Sequence, residues 1–231
     1  MLQFPPRNIL QTVCTAAIAL VLAACGGETG DSHAAAAPAS LSGVAAIGAP
    51  VVQGRVDCHC ASGASATAST ASDGSFRLDL LDSDYPCALR LTGGMAKNRP
   101  LDMALHSLAR TAGTANITPL TDLMVARLSG QRPDAWLAQA TPQDLGDTIT
   151  QARLNQALED LAAALASLPD QPALPVGFHP ITSLFGAQPE DCADELLENY
   201  ARALETAGLT QASAAEHMAS RGKLVPRRPG V

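Results

Sequence analysis

The chain changes its hydrophobic period once, and that change limits the folds open to it. Between Leu41 and Gly94 apolar side chains recur at every second position. Val52, Gly54, Val56, Cys58 and Cys60 form one run, Phe76, Leu78 and Leu80 another, and Leu89 and Leu91 a third. Period two puts alternate side chains on one face of a strand, and short runs separated by turn residues predict several antiparallel strands. Beyond Asn116 the spacing becomes three and four, as in Leu154, Leu158, Leu161, Leu165 and Leu168, which lines up one face of a helix. The expected class is α+β by segregated domains, a small antiparallel β-sandwich followed by an α-helical bundle.

Turn and cap residues punctuate both halves. Ala49-Pro50, Ser72-Asp73-Gly74-Ser75 and Gly93-Gly94 separate the strands, and Asp73-Gly74 suits a tight turn because Gly accepts positive φ without steric cost. Thr118 followed by Pro119 marks a helix start, with the hydroxyl as N-cap and Pro in the first position. Its buried stripe is expected at Leu120, Leu123, Met124 and Leu128, ending at Gly130. Thr141 and Thr210 repeat the capping pattern, and Gly208 and Gly222 close the last two helices. Trp136 is expected in the core.

The N-terminus carries an address. An apolar run from Ile9 to Ala24 follows a single cation, Arg7, and is shorter than the roughly twenty residues a spanning helix needs. It ends in Leu22-Ala23-Ala24-Cys25, small residues followed by a thiol. The segment resembles the bacterial lipoprotein signal peptide, which implies cleavage before Cys25 and lipidation of that cysteine. Gly26 stands where that family places Asp for inner-membrane retention, so the resemblance implies the outer membrane. The organisation read from these features is a signal peptide (1–24), a flexible tether (25–40), the sandwich (41–95), a connector (96–115), the helical domain (116–222) and a loose basic tail (223–231).

Removal of Arg7 leaves fourteen basic and twenty-two acidic side chains, a net charge of −8. An acidic chain without a basic stripe argues against nucleic acid as a partner. Cys14 leaves with the leader and Cys25 is taken by lipid, so Cys58, Cys60, Cys87 and Cys192 remain as disulfide candidates in an oxidising compartment. Cys58-His59-Cys60 lacks the second ligand pair of a structural zinc site, and neither metal nor cofactor is expected.

Ser42-Gly43-Val44, Gly48-Ala49-Pro50-Val51, Ala71 to Phe76, Tyr85 and Leu89-Arg90-Leu91 together resemble the carboxypeptidase regulatory-like domain. That family is a transthyretin-like sandwich found as an add-on module in secreted and surface proteins. The resemblance covers about fifty-five residues and implies a structural, non-catalytic role for Asp73 and Gly74. Cys60 and Cys87 fall on core-facing positions, where a bridge stabilises by about 3–4 kcal/mol. Cys58 shares that face and could replace Cys60, and the residue left over could reach Cys192.

The sequence holds no nucleophile elbow, zinc-binding His pair, P-loop or dinucleotide fingerprint. Asp79, Asp82 and Asp84 lack the Gly and distal Glu of a calcium loop. Glu190, Asp191, Asp194, Glu195 and Glu198 read as a solvated helix face. The chain is therefore expected to be a lipid-anchored envelope protein acting as a binding or structural module, with the membrane and an envelope protein or glycan as partners. The alternative is an envelope hydrolase whose site is assembled in space from His106 or His179 with nearby acids.

Overall fold

A computed structural model describes residues 38–185 and 192–224. The leader, Cys25 and the tether through residue 37 lie outside the described residues, as do Glu190, Asp191, the tail from 225 and the side chain of Cys192.

Among the described residues nine strands precede six helices, a mixed α+β class. In chain order the strands are β1 (Pro38–Val44), β2 (Arg55–Cys60), β3 (Ser65–Ser69), β4 (Ser75–Leu81), β5 (Cys87–Thr92), β6 (Met95–Ala96), β7 (Arg99–Pro100), β8 (Leu105–Ala109) and β9 (Gly113–Thr114). One sheet has the order β4-β1-β9, with β1 antiparallel to β4 and parallel to β9. A second, fully antiparallel sheet has the order β3-β2-β5-β8, and β6 and β7 make a small ribbon. Pro38 to Ser40, expected at the end of the tether, are already strand.

Register decides what each face carries, because directly opposed residues project from the same side of a sheet. Val56 faces Leu91, Cys58 faces Leu89 and Cys60 faces Cys87; across the next pair Leu91 faces Leu105 and Leu89 faces Ser107. All of these are buried. The opposite face pairs Ala88 with Leu108 and Arg90 with His106. There β8 is covered by helix α1 (Pro119–Ser129), so all five of its residues are buried. A strand covered on both faces loses period-two alternation. That is why β8, which completes the second sheet, is not legible within residues 96–115; this stretch, expected as a connector, also holds β7, β9 and the second residue of β6.

Helix α1 forms where the caps predict. The Thr118 hydroxyl accepts from the Thr121 amide, and Gly130 closes the helix at φ 69°. Its burial is wider than the expected stripe and includes Thr121, Asp122, Val125 and Ala126. The helix is enclosed by β8 together with α2 (Pro133–Leu137), α4 (Gln151–Leu165) and α6 (Gln211–Arg221). The remaining helices are α3 (Pro142–Thr148) and α5 (Cys192–Ala207). Leu154, Leu161, Leu165, Leu168, Leu196, Leu197, Tyr200 and Leu204 are buried as their spacing predicts, Leu158 of the same seam is half-buried against the core, and Trp136 is buried as expected.

A single apolar cluster runs from Leu41 and Leu78 through Leu89 and Leu105 to Leu123, Leu161 and Tyr200. Sheets and helices therefore share a core, and no boundary at 96–115 divides two of them. The clustering extends to Leu224, which is buried and whose carbonyl accepts from the Ser167 hydroxyl at 2.9 Å, so the stretch expected as a loose tail begins in the core.

Candidate functional site: a cleft floored by His106

The β5–β8 register sets Arg90 and His106 side by side on the face that meets the helices. Helix α1 enters with Asp122 in its first turn, where the helix dipole favours a carboxylate. The short helix α2 brings Asp134 to the same place. His106 Nδ1 lies 2.8 Å from Asp122 Oδ1, and His106 Nε2 lies 3.2 Å from Asp134 Oδ1. The first contact is a hydrogen bond. The second has ion-pair distance without hydrogen-bond alignment. Asp134 Oδ1 also accepts from Arg90 Nε at 3.0 Å.

The network continues inward. Asp122 Oδ2 accepts from Gln211 Nε2 at 3.0 Å, which also donates to the Pro119 carbonyl at 2.9 Å. Tyr200 donates its hydroxyl to Gln211 Oε1 at 2.9 Å. Burial, reinforced by the Asp122 charge, pushes this phenol well above its ordinary pKa. From the other side Thr121 donates its hydroxyl to the His106 carbonyl at 2.8 Å. His106 and Asp122 are only 2% and 4% exposed, so their polar atoms need these partners. Asp134 is 46% exposed and forms the bridge from buried floor to solvent.

Above this floor opens a cleft of about 490 Å³, lined among others by Asp102, Met103, Arg132, Asp134, Thr210 and Gln211. Its chemistry is positional. Nδ1 of His106 on a buried carboxylate reproduces the orienting half of a catalytic triad, but Nε2 faces a second carboxylate. The hydroxyl at the rim, Thr210 Oγ1, is committed to capping α6, where it accepts from the Ser213 amide at 3.2 Å. Asp102, Arg132 and Asp134 are exposed charges of both signs around the opening.

The other expected residues fall elsewhere. Cys60 and Cys87 are bridged, with 27 residues of separation, and Cys58 is a free buried thiol. Burial, and after it the charge of Asp84, pushes the Cys58 thiol up to about 12. The three sulfurs lie within 4.8 Å of one another, yet the bridge takes two of them out of metal-binding chemistry. Gly74 adopts φ 78° in the β3–β4 turn. Asp73 Oδ1 accepts from the Ser75 hydroxyl and amide at 2.6 and 3.0 Å, which holds that carboxyl below its usual range.

Asp84 turns inward, accepting from Ser62 Oγ at 2.9 Å and the Leu81 amide at 2.8 Å, while Asp79 pairs with Arg77. Glu198 pairs with Lys97 at 2.8 Å. His179 lines a separate cleft of about 360 Å³ beside Arg110 and Thr182. Its Nδ1 accepts from the Ile181 amide at 3.2 Å, and burial lowers its pKa. The two candidate histidines are thus not brought together.

Arg90, Asp122, Asp134 and Gln211 went unread as site residues in the sequence. The available signal was slight: an acidic residue four places after the Thr118 cap, and a His inside a short apolar run. The chain matches no model of a known protein family, and no curated protein sequence matches it.

Proposed function

We propose that the chain is an exported module of the bacterial cell envelope, acylated on Cys25, that holds a ligand or partner at the His106 cleft without transforming it. The observation that carries the binding reading is the carboxylate at each nitrogen of His106. A general base needs a free nitrogen within hydrogen-bond reach of the proton it takes, and Asp134 stands in that approach. A fixed polar floor beneath a partly apolar cleft is the arrangement of a binding site. Export is supported by the Leu22-Ala23-Ala24-Cys25 box and by a buried disulfide, which belongs to oxidising compartments. Gly26 after the lipidated cysteine favours the outer membrane.

In this reading the two sheets are the transthyretin-like sandwich of the carboxypeptidase regulatory-like resemblance, a rigid platform, and the helices are a bundle packed against it. The presence of apolar residues from both sheets in one cluster supports this. The partner is an envelope protein or a glycan, and nucleic acid is disfavoured by the net charge of −8 on the cleaved chain. Radiolabelled palmitate should enter the wild-type chain and not Cys25→Ala; equal labelling of both would remove the anchor. Purified cell-wall glycan and defined envelope proteins, immobilised in turn, should retain the full chain more strongly than Arg132→Glu at the cleft rim. Equal retention on every surface would remove the cleft as the binding site.

A second reading, an envelope hydrolase, draws on one observation, the 2.8 Å contact between His106 Nδ1 and Asp122. Turnover of any member of an ester, glycan and peptide panel, lost in His106→Gln, would establish it in place of the first.

A further inference from the structure

Three sulfurs meet in the core where only two are bridged. Cys58 and Cys60 lie two residues apart on β2, so both project from its inner face, and Cys87 enters that face from β5 directly opposite Cys60. Cys58 Sγ is 3.8 Å from Cys60 Sγ and within 4.8 Å of Cys87 Sγ. A rotation of side chains, with a small shear of β2 against β5, spans the remaining gap. We propose that Cys58 is a resident third sulfur that can take the place of Cys60 on Cys87, so that the core disulfide has two alternative positions.

The reaction is an isomerisation. Cys58, as thiolate, attacks Cys87 Sγ; a Cys58–Cys87 bond forms and the Cys60–Cys87 bond breaks. The electron pair leaves with Cys60 Sγ, which takes up a proton in place of the one Cys58 lost. No oxidant or reductant is consumed. All three sulfurs are buried, which keeps soluble thiols out and leaves Cys58 as the nearest nucleophile among the described residues.

The surroundings set its rate. Asp84 acts on Cys58 through its charge, and the Asp84 carbonyl lies 3.9 Å from Cys87 Sγ. The Tyr85 hydroxyl, buried without a hydrogen-bond partner, is pushed up mainly by burial and next by the charge of Cys58. Leu41, Leu78 and Leu80 of the other sheet belong to the same apolar cluster as the three cysteines. This environment disfavours thiolate, so exchange is slow at neutral pH and speeds up with alkali, about tenfold per pH unit while the thiol remains mostly protonated.

The test uses the full chain. Cys58 and Cys60 fall within one tryptic peptide, so free thiols are alkylated with one reagent and bridged ones, after reduction, with a second. Fragment ions on either side of His59 then assign each label. In oxidised Cys60→Ala, Cys58 and Cys87 should both carry the second label, as a bridged pair. Free thiols at both positions, or Cys87 bridged to Cys192, would overturn the proposal. If Cys60→Ala does not fold, wild type held folded at pH 9.5 supplies the decision. Label exchange between Cys58 and Cys60 should rise with time and fall about tenfold at pH 8.5. A Cys60 that stays fully bridged for days, while circular dichroism reports an intact fold, would likewise overturn it.

Discussion

Cys87→Ala removes every bridge the β2–β5 pair can form, which makes it the most direct probe of what holds the sheets. The bridge closes a loop with 27 residues of separation, for which the chain-entropy relation gives about 3.6 kcal/mol at 25 °C. At roughly 2–4 °C per kcal/mol for a chain of this size, the melting temperature should fall by about 7–14 °C. Urea unfolding, followed by far-ultraviolet circular dichroism, should show the midpoint fall by roughly 1–2 M. Wild type unfolded in the presence of a strong reductant should match the variant, because both lose the same constraint on the unfolded chain. A loss below about 1 kcal/mol with an unchanged slope would refute the reasoning, since the unfolded chain would then gain little freedom from losing the bridge.

Asp122→Ala should cost about 2–4 kcal/mol in the same assay, because it leaves His106 Nδ1 and one N–H of Gln211 Nε2 buried without their shared acceptor. Asp122→Asn keeps one acceptor and should cost less; a change under about 1 kcal/mol for the alanine variant would dismiss the network as a stabilising element. His179 sets a pH dependence. Burial lowers its folded pKa below the ordinary 6.5, so the unfolded chain binds the extra proton more readily. Its contribution is complete above pH 6.5 and is lost as pH falls from there through the folded value. The urea midpoint should therefore drop more steeply between pH 7 and pH 5 in wild type than in His179→Gln; parallel profiles would count against the assignment. Gly43→Ala should prevent normal folding, as its Cβ would run into the Ala115 carbonyl, and a soluble variant with wild-type melting would contradict that packing.

Much of the secondary structure is legible in the chain alone because its determinants are local. Thr118, Thr141 and Thr210 cap the helices that follow them, and Gly74 makes its turn since the required φ is costly for any side chain. Alternation exposed the inner faces of β2 and β4 because their outer faces meet water. β8 was hidden for the opposite reason: with the sheet's core on one side and α1 on the other, Leu105-His106-Ser107-Leu108-Ala109 carries no alternation to read. The candidate site was invisible for a related cause. Arg90, His106, Asp122, Asp134 and Gln211 come from five elements up to 121 residues apart in sequence, and no local pattern links a residue to the partner that satisfies it. Asn116 makes the same point. It stands just before the Thr118 cap with nothing local to mark it, yet it is buried, accepting from the Val44 amide and donating to the Ser183 carbonyl.

By itself the sequence determined where the capped helices and the alternating strands begin, which of their faces are apolar, and that Cys60 and Cys87 could meet. Each of these follows from forces acting over a few residues or from side-chain chemistry alone. Only the tertiary structure decided which of Cys58 and Cys60 holds the bridge, that the strands and helices share a core, and that His106 lies between two carboxylates. Those outcomes depend on strand register and helix placement, which are set when the apolar surfaces of distant segments are buried together and every polar group caught between them must find a partner.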